Sequence, residues 1–217
     1  MFTDRHNGQP SACRRTSRRQ ACCLLVQLQA EGCALCLSVN ISPRQFHDST
    51  FVESVRRILS HTGARPEQLV FEVTENLFIS NPESVAARMQ SLHRLGIRFS
   101  IDDFGTGYSS LAYLRRLPLH ELKIDQSFVR DLPDNANDAA IVRAMVSMAQ
   151  NLRLQVVAEG VETHRQALFL TELGCDSCQG HFFSPALPIE DWLAPRLASA
   201  SRLALAPGSH SLRKSAG

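Results

Sequence analysis

From residue 34 to about residue 198 the chain alternates two kinds of hydrophobic pattern. Short apolar runs of strand type are followed by segments whose apolar residues recur at helical spacing. The predicted strands are 34–41 (ALCLSVNI), 68–73 (QLVFEV), 97–102 (IRFSID), 121–125 (ELKID), 154–158 (LQVVA) and a less regular 176–181 (DSCQGH). The predicted helices are 50–61, 82–95, 109–116, 137–152, 164–173 and 189–198. Asn81 stands where an N-cap is wanted, with Pro82 at the first helical position behind it. The helix over 137–152 is the best marked, with Ile141, Val142, Met145, Met148 and Ala149 at helical spacing. Ahead of the first strand, 18–32 reads as a further helix, while 1–17 and 199–217 read as disordered ends.

A strand followed by a helix, repeated about every 20–35 residues, means parallel β/α architecture. An open doubly wound sheet and a closed (β/α)8 barrel both satisfy that pattern. No glycine-rich phosphate fingerprint follows the first strand, which favours the barrel. Six β/α units are visible where a barrel has about eight. The expected fold is therefore α/β, a (β/α)8 TIM-barrel-like domain over 18–198, incomplete, with its first strands missing.

Composition narrows the function classes. The 217 residues are 44% hydrophobic and 20% charged, which excludes collagen-like and disordered chains. The net charge of +2 lacks the basic footprint of a nucleic-acid binder, so neither DNA nor RNA is expected as partner. No apolar run approaches the ~18 residues of a membrane segment, and the Arg-rich start has no apolar core of a secretory signal. Seven cysteines, an odd number, read as reduced thiols and point to the cytoplasm. The basic residues are almost all arginine. Lys123 and Lys214 are the only lysines, so Lys123 is the one ammonium inside the predicted fold.

In parallel β/α folds the ligand site lies beyond the carboxyl ends of the strands. Those ends carry Asn40, Glu72, Asp102 with Asp103, Lys123, Glu159 and Gln179. A single carboxylate at a strand end commonly caps the next helix; six successive strands ending in polar groups are harder to assign to capping. Asn40, Glu72 and Asp102 offer hard oxygen donors suited to Mg²⁺ or Mn²⁺. Asp102 and Asp103 share the end of one strand, where Gly105 and Gly107 break it and let both turn into the mouth. A two-metal centre of this kind suits displacement at phosphorus. Lys123 can then orient water or offset phosphate charge, and Glu159 can accept a proton. Proton abstraction alpha to a carboxylate, as in enolase-type barrels, uses the same residue types and stays open on these grounds.

The segments LSVNISPRQF, FEVTENLF, FSIDDFGTGYSSLAYLRRLPLHELKIDQSFV, VVAEGVET and GCDSCQGHFFSPALP resemble the EAL domains that hydrolyse cyclic di-GMP. The resemblance implies a modified (β/α)8 barrel and metal-dependent hydrolysis of cyclic di-GMP to linear pGpG. It implies Asn40, Glu72, Asp102, Asp103 and Glu159 as metal ligands for Mg²⁺ or Mn²⁺, and Lys123 and Glu159 as catalytic groups. By the same resemblance Gln179 and Glu162 bind substrate, and Glu75 anchors the loop that carries Asp102 and Asp103. The signature Glu-Ala-Leu, whose Glu is a metal ligand, occurs nowhere in the 217 residues, and the expectation is an N-terminally truncated domain. The alternatives are a degenerate non-catalytic cyclic di-GMP-binding or interaction module and an inactive gene fragment. A homodimer or a complementing chain is the further partner expected.

Overall fold

The computed structural model describes residues 11–33, 35–79, 81–107, 114–185, 187 and 191, with the backbone alone for 11–17. Helix α1 (Ser11–Ala30) precedes strand β1 (Leu37–Asn40). It starts seven residues before the predicted helix, inside the stretch expected to be a disordered arm. No glycine or proline interrupts Ser11 to Ala30, so nothing local ends the helix there.

Helices α2 (Pro43–His47) and α3 (Phe51–Thr62) and a 3₁₀ turn (Pro66–Gln68) lead to β2 (Leu69–Thr74). A second 3₁₀ turn (Glu75–Phe78) and α4 (Pro82–His93) lead to β3 (Arg98–Phe104). Strand β4 (Glu121–Ile124) is followed by α5 (Gln126–Val129) and α6 (Ala136–Asn151), and β5 (Gln155–Ala158) by α7 (His164–Glu172) and β6 (Ser177–Cys178). The helix expected over 109–116 falls mostly, and that over 189–198 almost wholly, outside the described residues. So does the tail beyond 199.

The six strands are all parallel in the order β1-β2-β3-β4-β5-β6. The sheet is a half-barrel with helices between its strands, as expected for an incomplete barrel. Among the described residues β1 and β6 are its edges. Strands β1, β4, β5 and β6 are shorter than the predicted runs, β2 is equally long and β3 is one residue longer, because pairing begins and ends where a neighbour is in register. Leu37 to Asn40 meet Leu69 to Glu72, and only Ser177 and Cys178 reach β5.

Alternation along the strands sorts the two faces. Val39, Phe71, Val73 and Phe99 point outward and are buried with Phe46, Phe51, Val55, Met89 and Leu92 from the helices. Ile101, Leu122, Ile124, Val156 and Ala158 do the same against Val142, Val146, Ala149 and Leu170. The intervening positions face the other way and, apart from Val70 and Val157, are polar, among them Ser38 and Asn40, Glu72, Ser100 and Asp102, and Lys123. The outer face holds the fold together; the inner face carries the chemistry.

Candidate active site

Register sets the level of each functional group. Asn40 ends β1 directly beside Glu72, and the Ile41 N–H donates to the Glu72 carbonyl at 2.8 Å. Asp102 lies two residues beyond Ser100, the register partner of Glu72, and therefore on the same face. Lys123 and Glu159 follow on β4 and just after β5.

The Lys123 ammonium gathers three of these strands. Its Nζ lies 3.1 Å from Glu72 Oε1, 2.8 Å from Asp102 Oδ1 and 2.6 Å from Glu159 Oε1. Lys123 is 1% exposed. Burial opposes its charge, but Glu72, Asp102 and Glu159 outweigh burial and hold the proton on. The carboxylates feel the reverse balance. Burial pushes Glu159 up to about 7 and raises Glu72, each against the attraction of Lys123. Burial, then Asp102 and Asp125, raises Asp103.

One side-chain oxygen from each of Asp102, Asp103 and Glu159 falls within 4.8 Å of the other two. Glu72 Oε2 is buried with no hydrogen-bond partner. Three carboxylates thus converge on one ammonium with a fourth, Asp103, beside them; all donors are oxygen, and one carboxylate oxygen of Glu72 has no partner. That set fits a hard divalent cation, which would offset the surplus negative charge that burial makes costly.

Glu75 holds the loop that carries the aspartates. Its Oε1 accepts the Gly105 N–H at 3.1 Å, thirty residues away in sequence. A Cβ on Gly107 would lie 2.4 Å from Glu75 Oε2, so a larger residue there would displace this carboxylate from under the loop. Asp103 adopts φ 53, a left-handed conformation that turns it away from strand geometry. The β3–β4 register shifts between Ile101 and Phe104, at the same place. The two adjacent aspartates, which a continuing strand would point oppositely, are re-aimed by this break.

Gln179 donates through Nε2 to Glu159 Oε1. Glu162 is different: its side chain is exposed, and its N–H donates to Gln166 Oε1 at the start of α7. The structure therefore gathers Glu72, Asp102, Asp103, Lys123, Glu159 and Gln179, places Asn40 next to Glu72, and leaves Glu162 outside the network. Two groups escaped the sequence reading. Ser38 favours the charged form of Glu72, and Asp125 contacts Asp103 while capping α5 through the Ser127 N–H at 2.9 Å. Burial pushes Asp125 up, but the hydrogen bonds from Ser127 and the others prevail and hold its carboxyl low. Each sits two positions from a predicted site residue, Ser38 on the same face of β1 as Asn40 and Asp125 just past the end of β4 after Lys123, which was the available signal.

The family model described as EAL domain matches residues 5–186. The bifunctional diguanylate cyclase/cyclic di-GMP phosphodiesterase MucR of Pseudomonas aeruginosa is 46% identical over 158 residues, 73% of this chain and 23% of MucR. This chain thus spans less than a quarter of that curated relative. A solved structure of the PaMucR phosphodiesterase in complex with c-di-GMP superposes with a TM-score of 0.81 at 41% identity, over 84% of this chain and 74% of that one. The manganese/cy-diGMP complex of Klebsiella pneumoniae BlrP1 superposes with a TM-score of 0.70 at 33% identity, over 79% of this chain and 43% of that one. No helix among the described residues is long and apolar enough to cross a membrane.

Proposed function

The chain belongs to the EAL domain family, and on that footing we propose that its inner-face carboxylates hydrolyse cyclic di-GMP to linear pGpG with Mg²⁺ or Mn²⁺. The observation that carries this reading is the convergence of Glu72, Asp102 and Glu159 on Lys123, with the Asp103 carboxylate beside them. The cyclic di-GMP complex of MucR and the manganese complex of BlrP1 support the substrate and the metal.

Asn40, Glu72, Asp102, Asp103 and Glu159 would hold the metal. When bound, a divalent cation there supplies positive charge for the phosphodiester oxygens and for an attacking water. Lys123 keeps three carboxylates at one spacing, with its three N–H donors matched by Glu72, Asp102 and Glu159, and its positive charge favours the developing hydroxide. Glu159, with a carboxyl raised to about 7, accepts the proton that the water loses. The water oxygen bonds to phosphorus, the bond from phosphorus to the 3′ oxygen breaks with its electron pair staying on that oxygen, which takes a proton from solvent, and the ring opens to pGpG. Gln179 fixes Glu159, Glu75 fixes the Asp102–Asp103 loop, and the exposed Glu162 lies where a substrate could reach it.

No Glu-Ala-Leu tripeptide occurs in the 217 residues, so the glutamate ligand implied at that motif has no counterpart here. A second copy of the chain, or another chain, is the expected source of further ligands, and turnover by the chain alone is expected to be slow. The domain acts in the cytoplasm, with Cys22, Cys23, Cys33, Cys36, Cys175 and Cys178 as free thiols. Incubating the purified chain at high concentration with cyclic di-GMP and Mn²⁺ is expected to yield pGpG, and Asp102→Asn to abolish it. Binding without product would sink the hydrolase reading and leave a receptor.

A further inference from the structure

We propose a second ligand site at the opposite end of the strands, a basic cavity with a leucine floor that binds a small anion bearing phosphate or carboxylate groups. The cavity, about 270 Å³, lies between the segment entering β4 and the segment entering β5. Leu117, Leu119 and Leu154 line it together with Arg115, Asn151 and Arg153. Pockets for drug-sized ligands run to roughly 300–1,000 Å³, so the occupant is small.

The end of α6 carries the argument. Four helices here finish with the same pair of backbone hydrogen bonds, one reaching three residues back and the next reaching five back. At three of them the pivotal residue is glycine: Gly32, Gly96 and Gly174, with φ of 76, 102 and 89. At the fourth it is Arg153, with φ 58. The Arg153 N–H donates to Gln150 at 3.0 Å and the Leu154 N–H to Ala149 at 2.9 Å, as in the other three. Glycine adopts this left-handed conformation without cost, whereas a residue with a Cβ is strained in it. The chain uses glycine wherever only the turn matters. At α6 it keeps an arginine instead, and the side chain lines the cavity. Strain retained at such a residue is a pointer to function.

Charge points the same way. Arg115, Arg116 and Arg153 are exposed, and none forms an ion pair among the described residues. Arg98 begins β3 at this same end, with Nη1 3.3 Å from His120 Nε2. Arginines thus collect around the entries to β3, β4 and β5, where Glu121, the first residue of β4, is already engaged by the Ser100 hydroxyl. A guanidinium offers paired donors in a fixed plane to two oxygens of a phosphate or carboxylate. Two of them over an apolar floor select a compact oxyanion and repel the cations that the other end attracts.

Calorimetric titration of the EDTA-treated chain with pyrophosphate, and in parallel with citrate, reads this site with no metal to bridge an anion to the carboxylates. The expected result is one anion per chain with sub-millimolar affinity, weakened roughly tenfold or more in Arg153→Gly and in Arg115→Gln. Arg153→Gly is expected to melt no lower than the parent, because glycine relieves the left-handed position, so its loss of binding is not a loss of fold. Citrate binding alone assigns the site to carboxylates, and pyrophosphate binding alone to phosphates; either supports it. No binding of either up to about 10 mM, or unchanged binding in both variants, overturns the proposal.

Discussion

The carboxylate of Glu75 accepts the backbone N–H of Gly105 at 3.1 Å, tying the end of β2 to the loop that follows Asp102 and Asp103. Glu75 itself is buried and touches none of the converging carboxylates through any hydrogen bond described. It acts by holding the loop. Glu75→Ala is expected to lower kcat and metal affinity about 10–100-fold, the usual cost of removing an outer partner of a metal ligand. Glu75→Gln keeps an acceptor and is expected to recover part of that loss. Equal activity for all three proteins, measured across a Mn²⁺ titration, would contradict the anchoring role.

Gly107 extends the same relationship. An alanine there would put its Cβ 2.4 Å from Glu75 Oε2, and both groups belong to the closed loop. Gly107→Ala is expected to mimic Glu75→Ala in activity while leaving the melting temperature nearly unchanged. A global loss of stability, read by circular dichroism, would show instead that the loop supports the core.

Removing Lys123 leaves two buried carboxylates, Glu72 and Asp102, and the partly buried Glu159 without their counter-ion. Breaking a buried ion pair by deleting one partner costs about 3–5 kcal/mol, so Lys123→Met is expected to lose stability on that scale in urea at neutral pH. The deficit is expected to shrink in acid, where the carboxyls take up protons. A Lys123→Met protein as stable as the parent at pH 7 would mean that the ammonium is not their counter-ion.

Glu159 gives a pH dependence of defined sign. Its folded carboxyl sits at about 7 against an ordinary 4.5. The native state therefore holds this proton more tightly than the unfolded chain does. The stability it contributes is fully present below 4.5 and is lost as the pH rises toward 7. Glu159→Gln is expected to remove this component, so the difference in melting temperature between metal-free parent and variant should change across pH 4.5–7. A constant difference over that window would refute the raised carboxyl.

The outward face makes an energetic claim of its own. Phe46, Phe51, Phe71 and Phe99 are all within 2% of full burial, and neighbouring rings among them lie 5.3–6.3 Å apart. Phe99→Ala is expected to cost about 3–5 kcal/mol in denaturant unfolding. A cost below about 1 kcal/mol would mean that this cluster does not hold the half-barrel together.

Much of this site is legible in one dimension because parallel strands deliver their last residues to one rim. Glu72, Asp102, Lys123 and Glu159 could be named from strand ends alone, and the lone lysine marked the centre. Features set by the turn geometry could not. Gly105 and Gly107 signalled that Asp103 turns into the mouth, but the left-handed residue and the register shift that bring it there have no periodic signal. Helix α2 is a single turn held by a Ser42–Gln45 capping box behind Pro43, too short to show apolar spacing. Glu162 was assigned to substrate by resemblance alone, and its position past β5 leaves its side chain exposed. The role of Arg153 emerges only when four helix ends are compared in three dimensions.

The central claim is that the inner-face carboxylates bind a divalent cation. Titrating Mn²⁺ into the chelator-treated chain, with the free ion followed by electron paramagnetic resonance, tests it directly. Saturable binding below about 1 mM that is lost in Asp102→Asn/Asp103→Asn, with the fold intact, is the expected result. Equal Mn²⁺ uptake by parent and double variant, or none by either, would contradict it.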